Sequence, residues 1–114
     1  MQYYPNIMNN STELIDQKIK NILKDLREAH TRSEEFYAKE VIPGEPVKPM
    51  DIYDMALAFD SEKRVLIDLQ LARSEKYPDW YTPEQVDYLN KERDRLTRRI
   101  HAWQNRQFPS QSKD

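Results

Sequence analysis

The chain has 114 residues with one glycine and no cysteine, and its 18 basic and 20 acidic side chains leave a net charge of −2. At this length one domain is expected, able to bury roughly two-thirds of its unfolded surface without covalent staples. The missing cysteines exclude disulfides, thiolate metal sites and thiol nucleophiles. A lone Gly44 leaves little of the positive-φ backbone that hairpins, nucleophile elbows and phosphate-cradling loops use.

Leu, Ile, Val and Phe together make only 24 residues, yet charges of both signs are interspersed, so a folded but polar domain is expected. Residues 1–10 lack the basic start and apolar core of a secretory signal. No apolar run approaches the roughly 18 residues of a membrane span, and a cytoplasmic location is the expectation.

The spacing predicts a first helix over about 12–41. Its seam is Ile15, Ile19, Ile22, Leu26, Ala29, Ser33 and Phe36, at steps of four and three. Asn10, Ser11 or Thr12 can cap its start, and Pro43 disfavours helical geometry at Ile42. A linker over 42–50 holds three prolines and the glycine, an extended and stiff connection.

A second helix is predicted over about 51–77, with Asp51 as N-cap, Asp54 near the positive end of the dipole and Met50 stapled to Met55. Pro78 ends it. Its main seam reads Ile52, Met55, Phe59, Glu62, Leu66, Leu69 and Arg73, but Leu57, Val65, Ile67, Leu71 and Ala72 point elsewhere. So broad an apolar arc implies cover on more than one side.

The third helix, over about 83–107, has the clearest start. Thr82 is its N-cap, Pro83 its first position, Gln85 completes a capping box, and Tyr81 is placed to pack on Val86. Val86, Leu89, Arg93, Leu96, Ile100 and Trp103 form its stripe. Pro109 ends it before a polar tail, 110–114, expected to be disordered. The expected fold is all-α, an elongated antiparallel three-helix bundle of up-down-up topology, with oligomerisation as one way to complete it. It forms a single domain over 1–109.

Three places stand out. Antiparallel packing would bring His30, Glu62 and Arg93 to one height, either as a register-fixing layer with Glu62 paired to Arg93 or as a polar pocket for a small anion. Between residues 95 and 106, Arg95, Arg98, Arg99, His101 and Arg106 occur without an acid. Cations there complement the helix dipole, with Arg98 and Arg99 on a solvated face, or they form a patch for phosphates. Tyr3 and Tyr4 at the N-terminus and Trp80 and Tyr81 in the last connection are candidate protein-binding anchors, because such rings bury large area with few rotors. For Trp80 the competing reading is a cap over the end of the core.

Catalysis finds little support. Serines sit in no recognisable elbow, and His30 with Glu34 at i, i+4 is a lone pair of ligands, so neither a bound metal nor another cofactor is expected. Glu13/Asp16, Asp25/Glu28 and Glu84/Asp87 have the three-residue spacing of metal-dependent all-α nucleotide pyrophosphohydrolases, without their double-carboxylate signature. The first and last pairs stand at predicted helix starts, where the dipole accounts for acids.

The function expected is that of a small non-catalytic helical interaction or regulatory protein. It would bind another protein, itself as a homodimer or higher oligomer, or both. Size and composition resemble those of small accessory or inhibitor proteins of mobile elements. The alternative is a nucleic-acid accessory protein using the arginine-rich half of the third helix.

Overall fold

The computed structural model describes the backbone of residues 3–41 and 52–109, and the side chains of 13–37 and 52–109. Three antiparallel helices form an all-α bundle: α1 over Tyr3–Val41, α2 over Ile52–Lys76 and α3 over Pro83–Gln104, with a 3₁₀ turn at Pro78–Trp80 between the last two. There is no strand among the described residues. The expected Asp51 cap, the Met50–Met55 staple, the 42–50 linker and the 110–114 tail lie outside the described residues.

α1 starts earlier than its spacing suggested. Its 39 residues span about 58 Å, and Asn10, Ser11 and Thr12 lie within the helix and do not cap it. Pro5 explains why the chain can be helical this early. In the first turn backbone N–H groups have no intrahelical acceptor, so an imide nitrogen removes nothing. Glu13 and Asp16 therefore sit in the third and fourth turns, where the dipole no longer accounts for them.

α2 is the middle helix. α1 and α3 each pack against it, and among the described residues they do not pack on each other. The broad apolar arc of α2 thus reflects two neighbours. The molecule is an elongated slab of 65 × 33 × 24 Å. The thinnest dimension is about two helix diameters.

The two contacts differ in kind. Against α1 the core is small: Ala29, Ser33 and Ala58 are buried, and the Ser33 hydroxyl donates to the Ala58 carbonyl at 3.3 Å. Small residues one turn apart let two backbones approach closely. Phe59 then closes this end, with Phe36 edge-on at 6.5 Å and Tyr37 stacked at 4.8 Å. Leu69, three turns on from Ala58, is buried on the same side of α2, and on α3 the buried side chains are the large Leu96, Ile100 and Trp103. Within the α2 seam, Ile52 and Leu66 face outward, while Ala58, Asp60 and Ala72 are buried in their place.

Ion pairs fix the register. Lys18 meets Glu75 at 3.0 Å, Asp16 meets Lys76, and His30 meets Glu62 at 2.8 Å. Asp16 therefore lies level with the end of α2, and the helical backbone of residues 3–15 projects about 20 Å beyond it.

α3 begins as its sequence requires. Thr82 Oγ1 accepts from the Gln85 amide at 3.1 Å, and Gln85 Oε1 accepts from the Thr82 amide at 2.8 Å. It ends three residues before the predicted boundary, because Arg106 turns left-handed at φ 58°. The Gln107 amide then reaches Ala102 at 2.8 Å and the Arg106 amide reaches Trp103 at 3.0 Å, the two bonds of a Schellman stop with arginine where glycine is usual.

Candidate protein-binding surface

The connection between α2 and α3 is short and rigid. Pro78 sets φ for the 3₁₀ turn, the Trp80 amide donates to the Tyr77 carbonyl at 3.0 Å, and the two rings stack at 4.1 Å, 12° from parallel. Trp80 remains 66 % exposed. It does not cap the core; the turn holds it out in solvent. Tyr81 turns the other way, half-buried, its hydroxyl donating to Gln70 Oε1 at 2.5 Å. Tyr88, two turns into α3, is 63 % exposed. Gln70, Trp80, Tyr81, Glu84, Tyr88 and Leu89 line a shallow cleft of about 570 Å³.

Tyr88 was not singled out in the sequence. Its signal is a large ring outside the Val86, Leu89 and Leu96 stripe of α3, which the helical spacing turns away from α2. Tyr3 and Tyr4 begin α1 in helical backbone, so they do not form an extended terminus; their side chains lie outside the described residues.

The three polar residues expected at one height do not meet. Glu62 pairs with His30, whereas Arg93 Nε donates to Asp68 Oδ1 at 2.6 Å, on the other side of α2. Height along the bundle does not bring them together, because α1 and α3 flank α2 and do not face one another. His30 is raised above the ordinary histidine range, chiefly by the hydrogen bond to Glu62, then by the charges of Glu34 and Glu62, with desolvation opposing.

The buried polar centre is instead Asp60, 5 % exposed and missed in the sequence. Its Oδ2 accepts from Trp103 Nε1 at 2.7 Å and from Arg99 Nε at 3.0 Å, and the Arg99 guanidinium lies 5.6 Å from the Trp103 ring centre. Its signal is a lone acid among Ala56, Leu57, Ala58 and Phe59, with a buried indole elsewhere that needs an acceptor. Arg99 is thus not on a solvated face.

Arg95 and Arg106 of the expected patch are also tied to acids. Arg95 holds Glu92 with Nε and Nη2, the latter at 2.7 Å. That hydrogen bond lowers Glu92 below the usual carboxylate range against the opposing effect of burial, and it raises Arg95. Arg106 reaches Asp54 at 2.9 Å and lies 5.7 Å from the Tyr53 ring centre. Arg98 and His101 are exposed on α3.

Among the described residues no group of three or more His, Asp or Glu side chains could hold a metal ion. The spaced carboxylates are dispersed: Asp16 pairs with Lys76 and Asp87 with Lys91 at 3.1 Å. No described helix is long and apolar enough to cross a membrane. The molecule is therefore an all-α three-helix bundle with an aromatic surface at one end. No protein-family model, curated protein or solved structure matches this chain.

Proposed function

We propose that this chain is a small non-catalytic interaction protein of the cytoplasm, which acts by binding another protein or a second copy of itself. The observation that carries the reading is the aromatic end: Trp80, stacked on Tyr77 and 66 % exposed beside an equally open Tyr88. A folded chain gains by burying a tryptophan. One fixed in the open by a proline turn is a preorganised anchor, with little side-chain entropy left to lose on binding. As a regulatory or inhibitory subunit, the chain would present this end to its partner.

Nucleic-acid binding through Arg95, Arg98, Arg99, His101 and Arg106 is the competing reading. It draws less support, because Arg95, Arg99 and Arg106 already neutralise Glu92, Asp60 and Asp54. Phosphate binding needs cations whose counterions are free to leave.

The test is a photo-crosslinking amino acid placed at position 80 or 88 in cells that make the chain, with position 104 as control. Discrete adducts, to itself or to another protein, are expected at 80 and 88 and not at 104. An absence of adducts at 80 and 88 would overturn the reading.

A further inference from the structure

Nine large apolar or aromatic side chains are exposed among the described residues, and six of them share one face of the slab: Leu23, Tyr37, Ile52, Leu66, Trp80 and Tyr88. The sequence spacing puts them there. Leu23, His30 and Tyr37 recur every seven residues on α1, as do Ile52, Phe59 and Leu66 on α2, while Trp80 and Tyr88 line one cleft beside the start of α3. Seven residues is close to two turns, so each set returns to one side of its helix. Contacts join the three stripes, since Tyr37 stacks on Phe59, His30 bonds Glu62, and Tyr81 bonds Gln70, one turn beyond Leu66. The opposite face is a groove that mixes Leu14, Ile22 and Leu71 with Lys18, Asp68 and Arg93.

We infer that the apolar face is where two copies of this chain pair, antiparallel about a two-fold axis near Leu66, an inference that rests on the interaction reading above. Three observations select a second copy. The face is large enough: the α2 length of about 37 Å and a breadth of about 25 Å give on the order of 900 Å², against the roughly 800 Å² per partner of a stable interface. Part of its charge is matched within one chain: His30 with Glu62, Arg95 with Glu92, and Arg99 with Asp60. Charges paired in this way repel a copy of themselves less than single charges would.

The third observation is the order of the apolar groups. Leu66 stands midway between Ile52 and Trp80, fourteen residues from each. A two-fold axis through Leu66 sets each Leu66 against the other, and brings the end at Ile52 and Tyr37 onto the end at Trp80 and Tyr88 of the second copy. Such an isologous arrangement needs one patch complementary to itself under rotation, which this face provides.

The experiment is light scattering with sedimentation equilibrium from 1 mM down to 1 µM on the wild type, Leu66→Glu and the control Leu14→Glu, which is exposed off this face. The wild type should be dimeric, Leu66→Glu should weaken dimerisation at least tenfold, and Leu14→Glu should match wild type. Circular dichroism checks that each variant is folded, which Leu66, already 44 % exposed, should permit. The native chain has no cysteine, so Leu66→Cys should oxidise to a disulfide-linked dimer and Leu14→Cys should not. A wild type that stays monomeric at 1 mM, or a dimer indifferent to both Leu66 changes, overturns the inference. The crosslinking at position 80 tells the two failures apart, because adducts to another protein would leave the interaction reading standing while the dimer falls.

Discussion

Asp60 is the residue on which the α2–α3 contact turns. A buried carboxylate satisfied by an indole and a guanidinium costs little while both partners are present, and much once it is removed, because the partners are left desolvated and unpaired. Asp60→Ala should therefore lower stability by about 3 kcal/mol in urea unfolding. Asp60→Asn should cost less, since its amide oxygen can still accept from Trp103. Equal losses would mean that the charge matters and the indole bond does not.

His30 behaves differently, being exposed. Its raised pKa means that the folded state holds the proton more tightly than the unfolded chain. The resulting stabilisation is fully present below the unfolded value near 6.5 and is lost as pH rises through the higher folded value. The melting temperature of wild type should exceed that of His30→Gln at pH 5.5, with the gap closing at alkaline pH. In an NMR titration, Glu62→Gln should bring the His30 midpoint down toward 6.5.

At the scale of elements, the two helix contacts predict opposite responses to size. α1 meets α2 over Ala29, Ser33 and Ala58, where backbones are close, so Ser33→Leu should destabilise by overpacking, about 1–3 kcal/mol, and slacken α1. Hydrogen exchange should then quicken in residues 16–36 more than in α3. The C-terminus of α3 carries a different cost. Arg106 occupies the left-handed region at about 1–2 kcal/mol, offset by its pairing with Asp54 across to α2. Arg106→Gly should be nearly neutral in the wild type but stabilise by about 1 kcal/mol in an Asp54→Asn background, where nothing is lost in exchange. Thermal melts of the four proteins in this cycle check it.

For the whole molecule, the discriminating property is response to salt. With Arg95, Arg99 and Arg106 already paired to acids, fluorescence anisotropy with a labelled DNA duplex should show no binding that falls steeply between 50 and 200 mM salt. A steep slope removed by charge reversal at Arg98 would instead favour the nucleic-acid reading. Dimerisation through the apolar face should respond much less over that range, because it rests on apolar burial and not on counterion release.

The sequence by itself determined what is local. The Thr82–Gln85 box and Pro83 placed the start of α3 to the residue, because a cap is satisfied within one turn whatever surrounds it. Pro78 ended α2, the α1 seam from Ile15 to Phe36 held, and the breadth of the α2 arc revealed a helix with neighbours on two sides. Tertiary structure decided everything that depends on where the neighbours stand. Glu62 paired with His30, Arg93 with Asp68 and Arg99 with Asp60 because α1 and α3 lie on different sides of α2, and periodicity along one helix carries no information about the angle between two others. The same angle turned Ile52 and Leu66 out of the expected seam, aligned them with Leu23 and Tyr88, and made a single face from stripes that in the chain are separate.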